Sequence, residues 1–270
     1  MSDISLRLNR CPNRGTAFAI HLVLSLVVFS SLVLMMLVYW FPGDLFLMDG
    51  GWEGLKLVAM VDLVLGPALT LILFKPGKPG LKMDLSLIAG LQIAALAYGF
   101  YATYNQRVVA VVFAETEFST VSAKDNREAD ESLAKLNISS NPVPASRPFR
   151  VPLLMTPAAE NFGQYVADIL NGYPGAHHRS DQYVTLSGEN AQLQKHRKTA
   201  QYLRDSEALD DVEDALGRLD RKLDDIEVYR FRARYAKGFA LYDPEQSRIV
   251  DIVPVKSQSK DSDKLAQQQE

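Results

Sequence analysis

Residues 49–80 run DGGWEGLKLVAMVDLVLGPALTLILFKPGKPG. An acidic Gly-Gly-Trp turn (Asp49, Gly50, Gly51, Trp52) leads into an apolar run over residues 55–74, and a Lys-Pro-Gly loop without an acid follows. About 20 apolar residues suffice to cross a bilayer as a helix. Inside this run lie Asp62 and the pair Gly66-Pro67. A carboxylate and a helix breaker are costly in lipid unless neighbouring helices satisfy them. The stretch therefore predicts the second span of a packed membrane bundle.

The rest of the chain fits that reading. With 270 residues, 47% hydrophobic content and a net charge of −3, the average resembles a soluble protein. The apolar residues are concentrated before position 105, however, where residues 17–40 and 85–104 form two further windows of spanning length. From position 105 onward the chain holds 26 acids and 22 bases and no run long enough to cross. The first window follows Arg7, Arg10 and Arg14, as a signal peptide would, but it exceeds the usual apolar region of ~7–15 residues and lacks a small-residue cleavage site. A prepilin reading of Arg14-Gly15 would need a glutamate where this chain has Ile20.

Orientation follows from the bases. Arg7, Arg10 and Arg14 precede span one, Lys75, Lys78 and Lys82 separate spans two and three, and residues 41–54 carry Asp44, Asp49 and Glu53 without a base. The positive-inside bias places the N-terminus in the cytoplasm and everything after span three outside, with Tyr39, Trp40, Trp52, Tyr101 and Tyr104 at the outer ends. The expected organisation is a cytoplasmic N-terminus over 1–16, a three-helix transmembrane bundle over 17–104, an extracytoplasmic α+β domain over 105–255 and a disordered tail over 256–270. Cys11 is the only cysteine and lies before the first span, so the outer domain must be held by its core.

Within that domain the β-branched run 108–113 predicts a strand buried on both faces. Residues 124–136 suggest a polar helix. Residues 141–157, with five prolines, suggest an extended loop, and 158–170 a helix ended by Asn171-Gly172. Leu209, Val212, Leu216, Leu219, Leu223 and Ile226 fall on one stripe of a helix of five or more turns. Alternating rings and arginines over 229–235 predict a strand, and residues 238–242 and 248–253 a hairpin closed by Asp243-Pro244-Glu245-Gln246.

The candidate site residues lie in the spans. Counted from Leu55, Asp62 sits ~10 Å inside span two. Tyr98 lies at a similar depth in antiparallel span three, so Asp62 is expected either to accept from Tyr98 or to bind a group on another protein's helix. A structural polar clasp within the bundle is the plainer reading; His21 lies near the opposite face. Pro67 should bend span two just past Asp62. Gly90, Ala94 and Ala97, with Ala95, Gly99 and Ala102 alongside, form small-residue faces that let helices approach closely. His177-His178 has only Asp181 nearby, so no metal or cofactor is expected, and no catalytic motif for hydrolase, kinase or metalloprotease chemistry occurs. Nucleic acid is not an expected partner for an acidic domain outside the membrane; an acidic protein surface suits the arginine stripe better.

The strings Asp49-Gly50-Gly51-Trp52, Val61-Asp62-Leu63-Val64-Leu65-Gly66-Pro67, Lys75-Pro76-Gly77-Lys78-Pro79-Gly80-Leu81-Lys82 and Gln92-Ile93-Ala94-Ala95-Leu96-Ala97-Tyr98-Gly99 occur in fixed order, followed by Val109-Ala110-Val111-Val112-Phe113. In this order the chain resembles the type IV pilin accessory proteins of the TfpX/TfpZ family over about a third of its length. The resemblance implies a non-enzymatic inner-membrane protein that assists assembly or surface display of a cognate type IV pilin subunit. The lipid bilayer is a further expected partner, and the pilus assembly machinery a candidate one. The family carries no catalytic residues to transfer. The alternative is a membrane transferase acting on the pilin or an envelope glycan, for which Asp49, Glu53 and Asp62 are the membrane-side acids.

Overall fold

The computed structural model describes residues 13–159, 161–188 and 190–255. The expected tail over 256–270, and Arg7, Arg10 and Cys11, lie outside the described residues. The chain divides into two compact units, Met1–Arg107 and Val108–Glu270.

In the first unit, α1 (Arg14–Met35) starts at Asn13, whose side chain accepts the Thr16 backbone N–H at 2.9 Å and so satisfies one of the unpaired donors of the first turn. It continues as a π-helical stretch, Met36–Trp40. A short α2 (Leu45–Met48) precedes Gly50, whose φ of +88° turns the chain into α3 (Gly51–Ala59). A second π-helical stretch, Met60–Leu65, joins α3 to α4 (Gly66–Leu73), and α5 (Leu81–Gln106) ends the unit. Arg14–Trp40, Gly51–Leu73 and Leu81–Gln106 are each long and apolar enough to cross a membrane. Their outward faces expose Val23, Leu24, Val27, Leu57, Leu87, Leu91 and Ile93.

Pro67 acts on the backbone as a widened turn. Without an N–H it cannot bond the Leu63 carbonyl, and upstream of it the Gly66 N–H reaches back five residues to the Val61 carbonyl. The irregularity expected at Gly66-Pro67 is thus spread over Met60–Leu65 and contains Asp62.

The second unit is a seven-stranded mixed sheet in the order β4-β3-β1-β2-β5-β6-β7. The strands are β1 (Val108–Ala114), β2 (Glu117–Ser122), β3 (Leu153–Met155), β4 (Val184–Thr185), β5 (Glu227–Arg232), β6 (Lys237–Asp243) and β7 (Arg248–Pro254). β1 pairs antiparallel with β2 and parallel with β3, and β2 runs parallel with β5. β1 is central and covered on both faces, so Ala110, Val112 and Phe113 are fully buried, as the unbroken apolar run predicts. Phe113, Phe118, Tyr229 and Tyr242 pack edge-on or tilted at centroid distances of 5.0–6.3 Å, the aromatic centre of one face. The other face buries Val228, Phe239 and Leu241 beneath α9 (Ala200–Asp205) and α10 (Leu209–Arg218). Among the described residues the remaining α-helices of this unit are α6 (Ala123–Lys135), α7 (Phe162–Leu170) and the single turn α8 (Ala191–Gln194).

Three expectations are corrected here. The stripe from Leu209 to Ile226 is not one helix: α10 stops at Arg218, where Asp220 takes φ +52° and the Arg221 N–H returns to the Leu216 carbonyl, a Schellman closure. Leu223 and Ile226 still pack into the same core, which is why they keep the spacing. The proline-rich segment contains β3, because Pro152 needs no donor while its carbonyl accepts from the Val111 N–H at 2.9 Å. The ring–arginine alternation is strand only to Arg232; Arg234 and exposed Tyr235 lie in the turn to β6.

Candidate functional site

On α1, His21 and Ser25 are one helical turn apart; on the facing segment, Asp62, Gly66 and Thr70 recur at the same interval. The two rows meet as a polar seam between apolar helices. His21 Nδ1 lies 2.6 Å from Thr70 Oγ1, and the Thr70 hydroxyl donates to the Gly66 carbonyl at 3.1 Å. With that proton committed, Thr70 accepts from an Nδ1–H of His21. One turn further along, Ser25 Oγ donates to Asp62 Oδ1 at 3.2 Å.

A third helix completes the seam. Gln92 of α5 points its Nε2 at Asp62 Oδ1 from 3.5 Å, the limit of a hydrogen bond. Gly66 makes room for that amide, because a Cβ there would lie 1.7 Å from Gln92 Nε2. Asp62 is only 8% exposed, and its Oδ2 has no hydrogen-bond partner among the described residues. Beside it is a cavity of about 20 Å³ lined by Val58, Asp62, Gln92 and Gly99, among others. That is room for about one water.

Tyr98, the expected donor, is 69% exposed and does not bond Asp62. The reason lies in where span two begins. The helix starts at Gly51 rather than Leu55, so Asp62 lies eleven residues in, ~17 Å along the axis instead of ~10 Å. At that depth the polar residue facing it on α5 is Gln92. Sequence reasoning assigns Ser25, Thr70 and Gln92 no part in the seam; their signal is that each is an uncharged polar residue inside a spanning window.

The small residues of α5 divide between two faces. Gly99 is buried against Val58, where a Cβ would lie 3.1 Å from Cγ2, and Ala95 and Ala102 are half-buried beside it. Gly90, Ala94 and Ala97 are exposed, and nothing lies within 4 Å of a Cβ built on Gly90. Asp49, Gly50, Gly51 and Trp52 form the entry to α3. Asp49 is buried, and Gly51 is pressed so closely on Phe46 that a Cβ would lie 2.8 Å from its carbonyl oxygen. Trp52 is half-exposed with the Lys56 ammonium 5.4 Å above its ring. Trp40 is buried, in edge contact with Phe100 at 5.1 Å and Tyr104 at 5.6 Å.

In the second unit, His177 and His178 are held in a short 3-10 turn, and burial pushes both imidazoles below the usual histidine range. Among the described residues no group of three metal-ligating side chains converges. Arg230 and Arg232 both reach the buried Glu117 carboxylate, at 3.7 and 2.6 Å. The arginine stripe is therefore anchored to the sheet rather than free in solvent.

The geometry defines a class: an apolar unit of three helices with a buried polar seam, followed by a mixed-sheet domain. Sequence comparison gives the family. The chain is 39% identical over 97 residues to the fimbrial assembly protein of serogroups C1 and C2 of Dichelobacter nodosus, a match covering 35% of this chain and 73% of that protein. It belongs to the family of these fimbrial assembly proteins. The corresponding proteins of serogroups E1 and I match at the same identity, but the chain spans only 37% of their length. No protein-family model and no solved structure matches the chain.

Proposed function

We propose that the protein is a non-enzymatic accessory factor of the inner membrane, of the TfpX/TfpZ kind, that holds a cognate type IV pilin subunit before polymerisation. In this reading the N-terminus is cytoplasmic and the sheet domain periplasmic. Membership among fimbrial assembly proteins supports a role in pilus assembly. The observation that carries the holding mechanism is the division of α5: its Ala95–Gly99 face is used inside the bundle, while Gly90, Ala94 and Ala97 face outward with no packing partner on Gly90. In lipid, close approach over small residues is a main source of helix association, and a pilin offers one long apolar helix. Asp62 then has the role of fixing α1, α3–α4 and α5 so that this face is presented.

The test is co-purification from detergent with and without pilin expressed, combined with site-specific photocrosslinkers at Gly90 and Ala94. Capture of pilin at both positions is expected. Pilin that stays stable, assembled and uncaptured when this protein is deleted or labelled overturns the reading.

A further inference from the structure

Helix α7 inverts the usual arrangement of an amphipathic helix. Its polar edge is tied to the domain by Arg179, which donates to Asp168 at 3.0 Å, while within the helix Gln164 donates to Asp168 at 2.6 Å. Arg179 also forks onto Asp181 at 2.9 Å and stacks over the Tyr173 ring at 4.4 Å. Between this edge and the segment Thr156–Ala159 is a cleft of about 500 Å³ lined by Gln164, Asp168, Arg179 and Gln182, with Tyr165 and Ile169 at the border of the apolar face. The Asn161 side chain caps the first turn by accepting the Gln164 N–H at 2.9 Å. The helix is thus fixed by its hydrophilic side, and its apolar side is left in the open. Phe162, Val166, Ile169 and Leu170 recur at helical spacing on one face, with Phe162 79% and Leu170 80% exposed.

We infer that this face lies in the interfacial layer of a lipid bilayer. Two observations select lipid. Helix α5 ends at Gln106 and β1 begins at Val108, so one residue, Arg107, connects the domain to a helix of membrane-spanning length. A membrane that holds α5 is then present at high effective concentration for any apolar face of the domain, and a weak affinity suffices. The face is also uncharged. The only acid of α7, Asp168, is committed to Arg179, and the helix carries no base. Insertion of apolar side chains, not attraction to anionic headgroups, is the chemistry available. The inference rests on the membrane reading of the apolar unit.

The test uses the full chain in phosphatidylcholine nanodiscs, with Cys11→Ser as background and single nitroxide labels at Leu170→Cys, Leu91→Cys and Glu245→Cys. Accessibility to oxygen and to a water-soluble nickel chelate is measured for each. The Leu170 label is expected to be oxygen-rich and nickel-poor, as at Leu91, with Glu245 the reverse and no change on adding phosphatidylglycerol. A Leu170 label that behaves like Glu245, or that is shielded from both reagents by protein, overturns the inference. A water-exposed Leu91 label overturns the membrane reading beneath it.

Discussion

The side-chain amide of Gln92 fills the space that a side chain on Gly66 would occupy, so the glycine and the glutamine are one packing unit across two helices. Gly66→Ala must swing the flexible amide aside and lose its contact with Asp62, at a cost of about 1 kcal/mol rather than the larger penalty of a backbone clash. Gln92→Ala removes the obstruction. Adding Gly66→Ala to that background is expected to cost less than in the native chain, and a double-mutant cycle of thermal unfolding in nanodiscs reads the difference.

Asp62 offers an isosteric comparison. Asp62→Asn keeps an oxygen for Ser25 and places an amide where Oδ2 now lacks a partner among the described residues. Its stability is expected to equal or exceed that of the native protein. Asp62→Leu leaves Ser25 and Gln92 without their acceptor and is expected to lose roughly 1 kcal/mol, the upper range for hydrogen bonds between membrane helices. If Asp62 only organises the bundle, the Asn variant retains pilin and the Leu variant weakens it; the readout is pilin co-purified per unit of protein.

The mistaken partner for Asp62 shows where sequence reading stops. The windows, their order and the unusual carboxylate are legible, because apolar length and the cost of charge in lipid are composition effects. The depth of Asp62 is not, because hydropathy marks Leu55 as the start of the span while hydrogen bonding starts the helix at Gly51. Those four residues are a full turn, which moves the level facing Asp62 away from Tyr98 and toward Gln92. The π-helical stretch adds a further shift that no periodicity announces. In the sheet domain, continuous apolar strands such as β1 and the Asp243–Gln246 turn are plain, since burial and turn chemistry are local. The order of the strands is not, because β2 pairs with β5 across more than a hundred residues.

The paired histidines set a pH dependence. Burial lowers the folded-state pKa of His177 and His178 below 6.5, so between that value and the folded value the unfolded chain binds more protons. Their neutral form is accommodated above pH ~6.5, and stability is lost as pH falls below it. The melting temperature of the protein is expected to fall between pH 7 and pH 5, and a His177→Gln/His178→Gln variant should show a shallower decline in a pH series of thermal melts.

Asp220 closes α10 in the left-handed region, at φ +52°. Glycine adopts that region freely, whereas an L side chain there costs ~1–2 kcal/mol, less for aspartate. Asp220→Gly is expected to stabilise the chain by about 0.5–1 kcal/mol in denaturant unfolding, without altering the core made by Leu216, Leu223 and Ile226.

The central place of β1 has a consequence for biogenesis. The strand that follows the last apolar helix is the one all later strands must build around, and its hairpin partner β2 waits for β5, more than a hundred residues downstream. Closing a loop of that length is slow, and contacts so distant in sequence delay folding. During synthesis the β1–β2 hairpin therefore stands with both of its outer edges unpaired until β3 and then β5 emerge. Unpaired edges of this kind invite mispairing. This interval is when the unfinished sheet is most open to mispairing, and nascent chains stalled between residues 155 and 227 are expected to aggregate more readily than chains released at full length.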